Sequence, residues 1–183
     1  MIKIVKDTNP KLREKCKEVP LPLDEDHQAF IDEMLQYLKL SQNEEYRAKH
    51  PECREGVGLA APQAGRNERM LVISYPTGEE NNPLVEYQLV NPKIVSNSIK
   101  LAYLRGGEGC LSVDEEHRGR VYRYFKIKVK AYEARLKEEV FIVARGYDAI
   151  VLQHEIDHLD GVLFYDHIDK VNPEIDRPNS IAI

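Results

Sequence analysis

No stretch of this chain approaches the roughly 20 consecutive apolar residues that a membrane-spanning helix needs, and 31% of its 183 residues are charged. The first residues, Met1-Ile2-Lys3-Ile4-Val5-Lys6-Asp7, lack the basic start and apolar run of a secretory signal. They also lack the Arg- and Ser-rich, acid-poor character of a transit peptide. A cytoplasmic protein without membrane contact is expected. Cysteine is scarce: Cys16, Cys53 and Cys110 are an odd number at wide spacing. That pattern excludes a disulfide framework and suits a reducing compartment. Positive charge is also in deficit, with a formal net charge of -5. Specific or tight binding to a nucleic-acid backbone over a broad face is therefore not expected. The length suits one domain spanning 1–183.

What is present is concentrated in Gln153-His154-Glu155-Ile156-Asp157-His158-Leu159-Asp160-Gly161. On a helix, four residues turn through about 400°, so His154 and His158 share a face and both imidazoles can reach one metal ion. Glu155 lies about 100° further round, unable to ligate beside them but able to act as general base toward a water on that ion. The flanks predict the helix: Tyr147 to Leu152 lead in, and Gly161 stands where a helix would stop. Tyr147, Ile150 and Val151 fall on the histidine face, while Ala149, Leu152, Ile156 and Leu159 are apolar on the other side. A helix apolar nearly all round is a buried one.

The rest of the chain reads as scaffold with two bare segments. Asn9-Pro10 opens a short helical turn. Asp24 caps a helix to Leu40 whose apolar stripe is Phe30, Ile31, Met34, Leu35 and Leu38. Residues 41–55 form a polar insertion or fraying helix end; His50 and Cys53 lie in it without a second ligand pair. Met70 to Ser74 is a buried-type strand. Tyr87 to Val95 and Ile99 to Leu104 read as strands around an Asn91-Pro92 turn and a polar break at 96–98. Val121 to Tyr132 and Glu139 to Ala144 predict an antiparallel hairpin. The tail after Phe164 has no periodic pattern and predicts a loosely packed end. The bare segments are Gly56-Val57-Gly58-Leu59-Ala60-Ala61-Pro62-Gln63 and Arg105-Gly106-Gly107-Glu108-Gly109-Cys110-Leu111-Ser112, where a ligand can approach the backbone closely.

A catalytic site of this kind takes three protein ligands. The zincin pattern that supplies a third histidine fails here, because Phe164 occupies that position. Glu174 and the upstream Cys110 remain as candidates.

The segments 56–63, 108–112 and 153–158 together resemble the three signature motifs of bacterial peptide deformylases, in the family's order, and the insertion before Gly56 resembles the longer form of many Gram-positive members. The resemblance implies an α+β fold with antiparallel β-sheets surrounding a buried central metal-binding helix. It implies Cys110, His154 and His158 as ligands of Fe(II), with Zn, Ni or Co as substitutes. Its substrate would be the N-formylmethionyl end of a nascent peptide, met in transient proximity to the ribosome. Glu155 would be the base and acid, and the Gln63 side chain with the Leu111 N–H would stabilise the oxyanion. Val57, Gly58, Gly107 and Gly109 would pair with the peptide backbone, and Tyr147, Ile150 and Val151 would line the methionine pocket. Two rival readings, a metallopeptidase sharing H-E-x-x-H and a metal-binding module without catalysis, stand beside this one.

Overall fold

The computed structural model describes residues 2–183, so only Met1 of the expected domain lies outside the described residues. Its order is α1 (Glu25–Ser41), α2 (Glu44–Lys49), β1 (Gly58–Ala60), β2 (Met70–Glu79), β3 (Asn82–Asn97), β4 (Leu101–Tyr103), β5 (Arg123–Tyr124), β6 (Lys126–Glu133), β7 (Glu138–Arg145), α3 (Tyr147–Leu159) and β8 (Ser180–Ala182). The fold is α+β. Five strands form an antiparallel sheet in the order β1-β2-β3-β6-β7, and three form a second sheet in the order β5-β4-β8. None of the described helices is long and apolar enough to cross a membrane.

Alternation along the strands divides the large sheet into two faces. Leu71, Ile73 and Leu89 pack with Ile127, Val129 and Ala131 against Ala149, Leu152, Ile156 and Leu159 of α3. Met70, Val72 and Val90 face the other way, against Ile31, Met34, Leu35 and Leu38 of α1. Each fully buried Leu or Ile stabilises the fold by about 1.5–3 kcal/mol, which fixes α3 as a rigid central element. The cap of α1 is the expected one, Asp24 accepting the His27 N–H at 2.9 Å. The Asn9 cap and the Pro10–Arg13 3-10 turn also form.

Four expectations need correction. Asn91-Pro92 is no turn but a bulge inside the continuous β3, where the register to β6 shifts. Asn91 takes a left-handed φ of 52°, and its side chain exchanges hydrogen bonds with Val19 at 2.8 and 2.9 Å. Asparagine tolerates that conformation, and a proline at a bulge breaks no ladder bond. The expected strand 121–132 divides at Phe125 into β5 and β6, which belong to different sheets. Its neighbour at 99–104 is ordered as a strand only over Leu101–Tyr103. The tail is not loose throughout: β8 returns to pair in parallel with β4.

The 41–55 stretch does carry exposed α2 at its centre, but both of its ends are tied down. Gln42 donates to the carbonyls of Gly56 and Ser74 at 2.8 and 2.6 Å. Cys53 is buried beside Tyr37, while His50 stacks on Tyr46. His50 and Cys53 are therefore parts of the packing and not a ligand pair.

Candidate metal centre

Helix α3 runs as the spacing predicts, and Gly161 follows it with φ of 74°. His154 and His158 lie one turn apart with ring centroids separated by 5.0 Å. The loop 108–113 brings Cys110 opposite them, its Sγ 3.2 Å from His158 Nε2. One atom from each of Cys110, His154 and His158 lies within 4.8 Å of the others. Ligand atoms bound tetrahedrally to one zinc-like ion sit roughly 3.3–3.6 Å apart, so a thiolate and two imidazoles at these separations fit one ion. Glu174 is exposed and paired with Arg120 at 3.2 Å. Phe164 is buried with its ring stacked against His154, centroids 6.1 Å apart.

Three further groups line the same space. Glu155 is buried, and its Oε2 has no hydrogen-bond partner among the described residues. Burial pushes its carboxyl up to about 7. Gln63 is also buried, and its Oε1 is held by the Ala60 N–H at 2.8 Å. That bond turns its amide nitrogen toward Cys110 Sγ at 3.4 Å and Ser112 Oγ at 3.2 Å. The Leu111 N–H has no partner among the described residues.

Behind the ligands is a charged network that the sequence did not reveal. Glu108 accepts from His154 Nδ1 at 2.8 Å, which leaves Nε2 for a metal. Arg123 holds Glu108 through two bonds of 2.6 and 2.9 Å and reaches Asp157 at 2.8 Å. His167 approaches the same Asp157 oxygen at 2.7 Å. Burial alone would raise the Glu108 pKa, but its bonds to His154 and Arg123 draw it down to about 2. Burial would likewise lower that of His154, yet Cys110 and Glu108 more than offset this and raise it to about 10. His158 lies well below its ordinary value because it is buried and faces a charged His154. Glu108 and Asp157 lie within the quoted motifs; Arg123 sits in a strand with no motif to mark it.

A cavity of about 240 Å³ opens over Cys110, His154, Glu155, Gln63 and Leu111. Its lining includes Val57, Gly58, Gly109, Tyr147, Ile150 and Val151. Ile150 and Val151 are buried, and Tyr147 is at the rim. Gly107 is absent from this lining; it makes a turn at φ of 77°, donates to the Leu104 carbonyl, and faces the adjoining groove. β1 is the edge strand of its sheet, with β2 as its sole neighbour. The Val57 carbonyl accepts from Ser74, while the Val57 N–H and both backbone groups of Gly109 have no partner among the described residues. Gly58 has a second reason to be glycine: a Cβ there would lie 2.7 Å from Glu155 Cδ.

A helix-borne His pair, an opposed thiol, a buried carboxylate and an open apolar cavity describe a metallohydrolase. The family model for polypeptide deformylase matches residues 1–174. A peptide deformylase from Macrococcus caseolyticus is 51% identical over 180 residues, covering 98% of this chain and 96% of that one. Peptide deformylase 2 of Bacillus subtilis is 46% identical over 183 residues, 100% of this chain and 97% of the relative. The crystal structure of an Acinetobacter baumannii peptide deformylase with Met-Ala-Ser bound superposes with a TM-score of 0.71 at 29% identity, over 91% of this chain and 98% of that one. The chain belongs to the polypeptide deformylase family, metal-dependent hydrolases that remove the formyl group from the N-termini of nascent peptides.

Proposed function

We propose that the chain acts as one catalytic domain, 1–183, in which Cys110, His154 and His158 hold the metal and Glu155, Gln63 and Leu111 act on the formyl group. The observation that carries this reading is that Cys110, His154, Glu155, Gln63 and Leu111 line one cavity beside an open strand edge, with His158 clustered against Cys110 and His154. A thiolate among two imidazoles suits a borderline or redox-active ion, for which we take Fe(II), with Zn, Ni or Co as substitutes. When bound, the ion supplies Lewis acidity, lowering the pKa of water and polarising the formyl carbonyl.

The chain's own groups do the rest. An extended formylmethionyl peptide adds as a strand, taking the free Val57 N–H beside Gly58 on one side and the Gly109 backbone on the other. Backbone pairing reads no side chains, so one site serves most nascent proteins. That substrate brings the enzyme transiently to the ribosome. The methionine side chain enters among Ile150, Val151 and Tyr147. Glu155 takes a proton from the attacking water and returns it to the departing amine. The Gln63 Nε2 and the Leu111 N–H donate to the oxyanion that develops on the formyl oxygen. Glu108, held by Arg123, keeps the His154 ring turned for ligation.

Acyl selectivity tests the reading. Against a formyl hydrogen, an acetyl methyl costs about 1–3 kcal/mol in an apolar pocket, and displacing the carbonyl by roughly 1 Å costs about another 10²-fold. Formate release from formyl-Met-Ala should far outpace acetate release from acetyl-Met-Ala, and an unblocked peptide should stay intact. Internal cleavage of the unblocked peptide, with no formate from the formylated one, would return the site to the metallopeptidase reading.

A further inference from the structure

We propose that Arg54 is a positioning residue for the reaction, acting on the Leu111 N–H through the carbonyl of Cys110. The inference rests on the reading of that N–H as an oxyanion donor. Arg54 lies in the stretch before β1, outside all three motif segments. Its Nη2 donates to the carbonyls of Cys110 at 2.9 Å, Leu111 at 2.6 Å and Val113 at 3.0 Å.

The first of these contacts matters for the chemistry. The Cys110 carbonyl and the Leu111 N–H are the two ends of one peptide plane, joined by amide resonance. Hydrogen bonds to the oxygen draw charge out of the plane and make the N–H a stronger donor. They also fix the plane's rotation, so the N–H is aimed before the oxyanion forms. The Cys110 oxygen also accepts the Val113 N–H at 3.2 Å. Among the described residues, Arg54 is the side chain that donates to it. Lys6 donates to the Leu111 carbonyl at 3.1 Å and the Asp7 N–H to the Ser112 carbonyl at 2.9 Å, both one peptide or more further along. Asp114, 3.3 Å away, steadies the guanidinium from outside. The Arg54 side chain is 43% exposed, so it is not a core element whose removal alone should unfold the chain. All three contacts converge on one nitrogen, Nη2, whose two hydrogens are shared among the carbonyls, and a lysine ends one bond shorter and so reaches that point only in part.

The test uses the metal-loaded enzyme with Arg54→Ala and Arg54→Lys. For Arg54→Ala, kcat on formyl-Met-Ala should fall about tenfold, a fraction of the about 10²–10³-fold seen when an oxyanion donor is removed outright. KM and metal content should hold. Arg54→Lys should fall between the two, and added guanidinium ion should restore part of the kcat of Arg54→Ala. In the zinc-loaded protein the Leu111 amide proton should move upfield on loss of Arg54, with the Gly58 amide unmoved. An unchanged kcat, a loss that only tracks metal content or folded fraction, or an unmoved Leu111 resonance would overturn the inference. Gln63→Ala separates the two levels: if it loses kcat and Arg54→Ala does not, only the role of Arg54 falls. If neither loses kcat, the oxyanion reading itself falls.

Discussion

On one side of the cavity, α3 sets His154, Glu155 and His158 through its own hydrogen-bond ladder and the burial of Leu152, Ile156 and Leu159. On the other side, residues 108–113 form neither helix nor strand. There Cys110 and Leu111 are held by Arg123 through Glu108, by Gln63, by Arg54 and by Lys6. The helical wall draws its rigidity from local periodicity and packing. The loop wall draws it from charge-assisted hydrogen bonds to residues distant in the chain. A pattern in sequence reports the first kind of support and says little about the second.

Breaking the loop wall at its buried anchor should cost most. Arg123 and Glu108 are each 3% exposed, and removing one partner of such a pair typically costs about 3–5 kcal/mol. Arg123→Ala should lose that much in denaturant unfolding. It should also lose about 10–100-fold in metal affinity, because the His154 ring loses its fixed partner. Stability lost with metal affinity unchanged would separate the network from the site.

The corresponding cut in the helical wall should behave differently. Leu152 is fully buried on the side of α3 away from the histidines. Leu152→Ala should cost about 2–5 kcal/mol, yet leave metal affinity and kcat per folded molecule near wild type. A selective loss of metal would show that packing reaches the ligands directly.

The smallest effect should come from the exposed end of the loop wall. Lys6 pairs with Asp114 at 2.7 Å, the two side chains 39% and 63% exposed. Lys6→Ala should change stability by about 0–1 kcal/mol, and a larger loss would move Lys6 among the true anchors.

The same contrast explains what the sequence made legible. Helix α3, its stop at Gly161 and the cap of α1 each have a local signature and form as read, and the expected hairpin forms from Lys126 onward, as β6 and β7. The bulge at Asn91-Pro92 looked like a turn because both residues favour turns and bulges alike. β8 escaped notice because its parallel partner β4 lies nearly 80 residues upstream, and such pairing leaves no local trace. Within the site, spacing on α3 pointed to His154, Glu155 and His158, while the parts of Cys110, Gln63 and Leu111 came from family resemblance. Arg123 and Arg54 had neither kind of signal. Gly58 was legible as a bare backbone, though its contact with Glu155 needed the fold.

In the proposed mechanism Glu155 carries the proton beside a metal that it does not ligate. Glu155→Gln keeps the shape and removes the proton acceptor. Formate release and metal content, measured together on that variant, test this most directly. The variant should keep the wild type's metal content, with formate release from formyl-Met-Ala down by about 10²–10⁴-fold. Near-wild-type formate release, or loss of the metal, would contradict it.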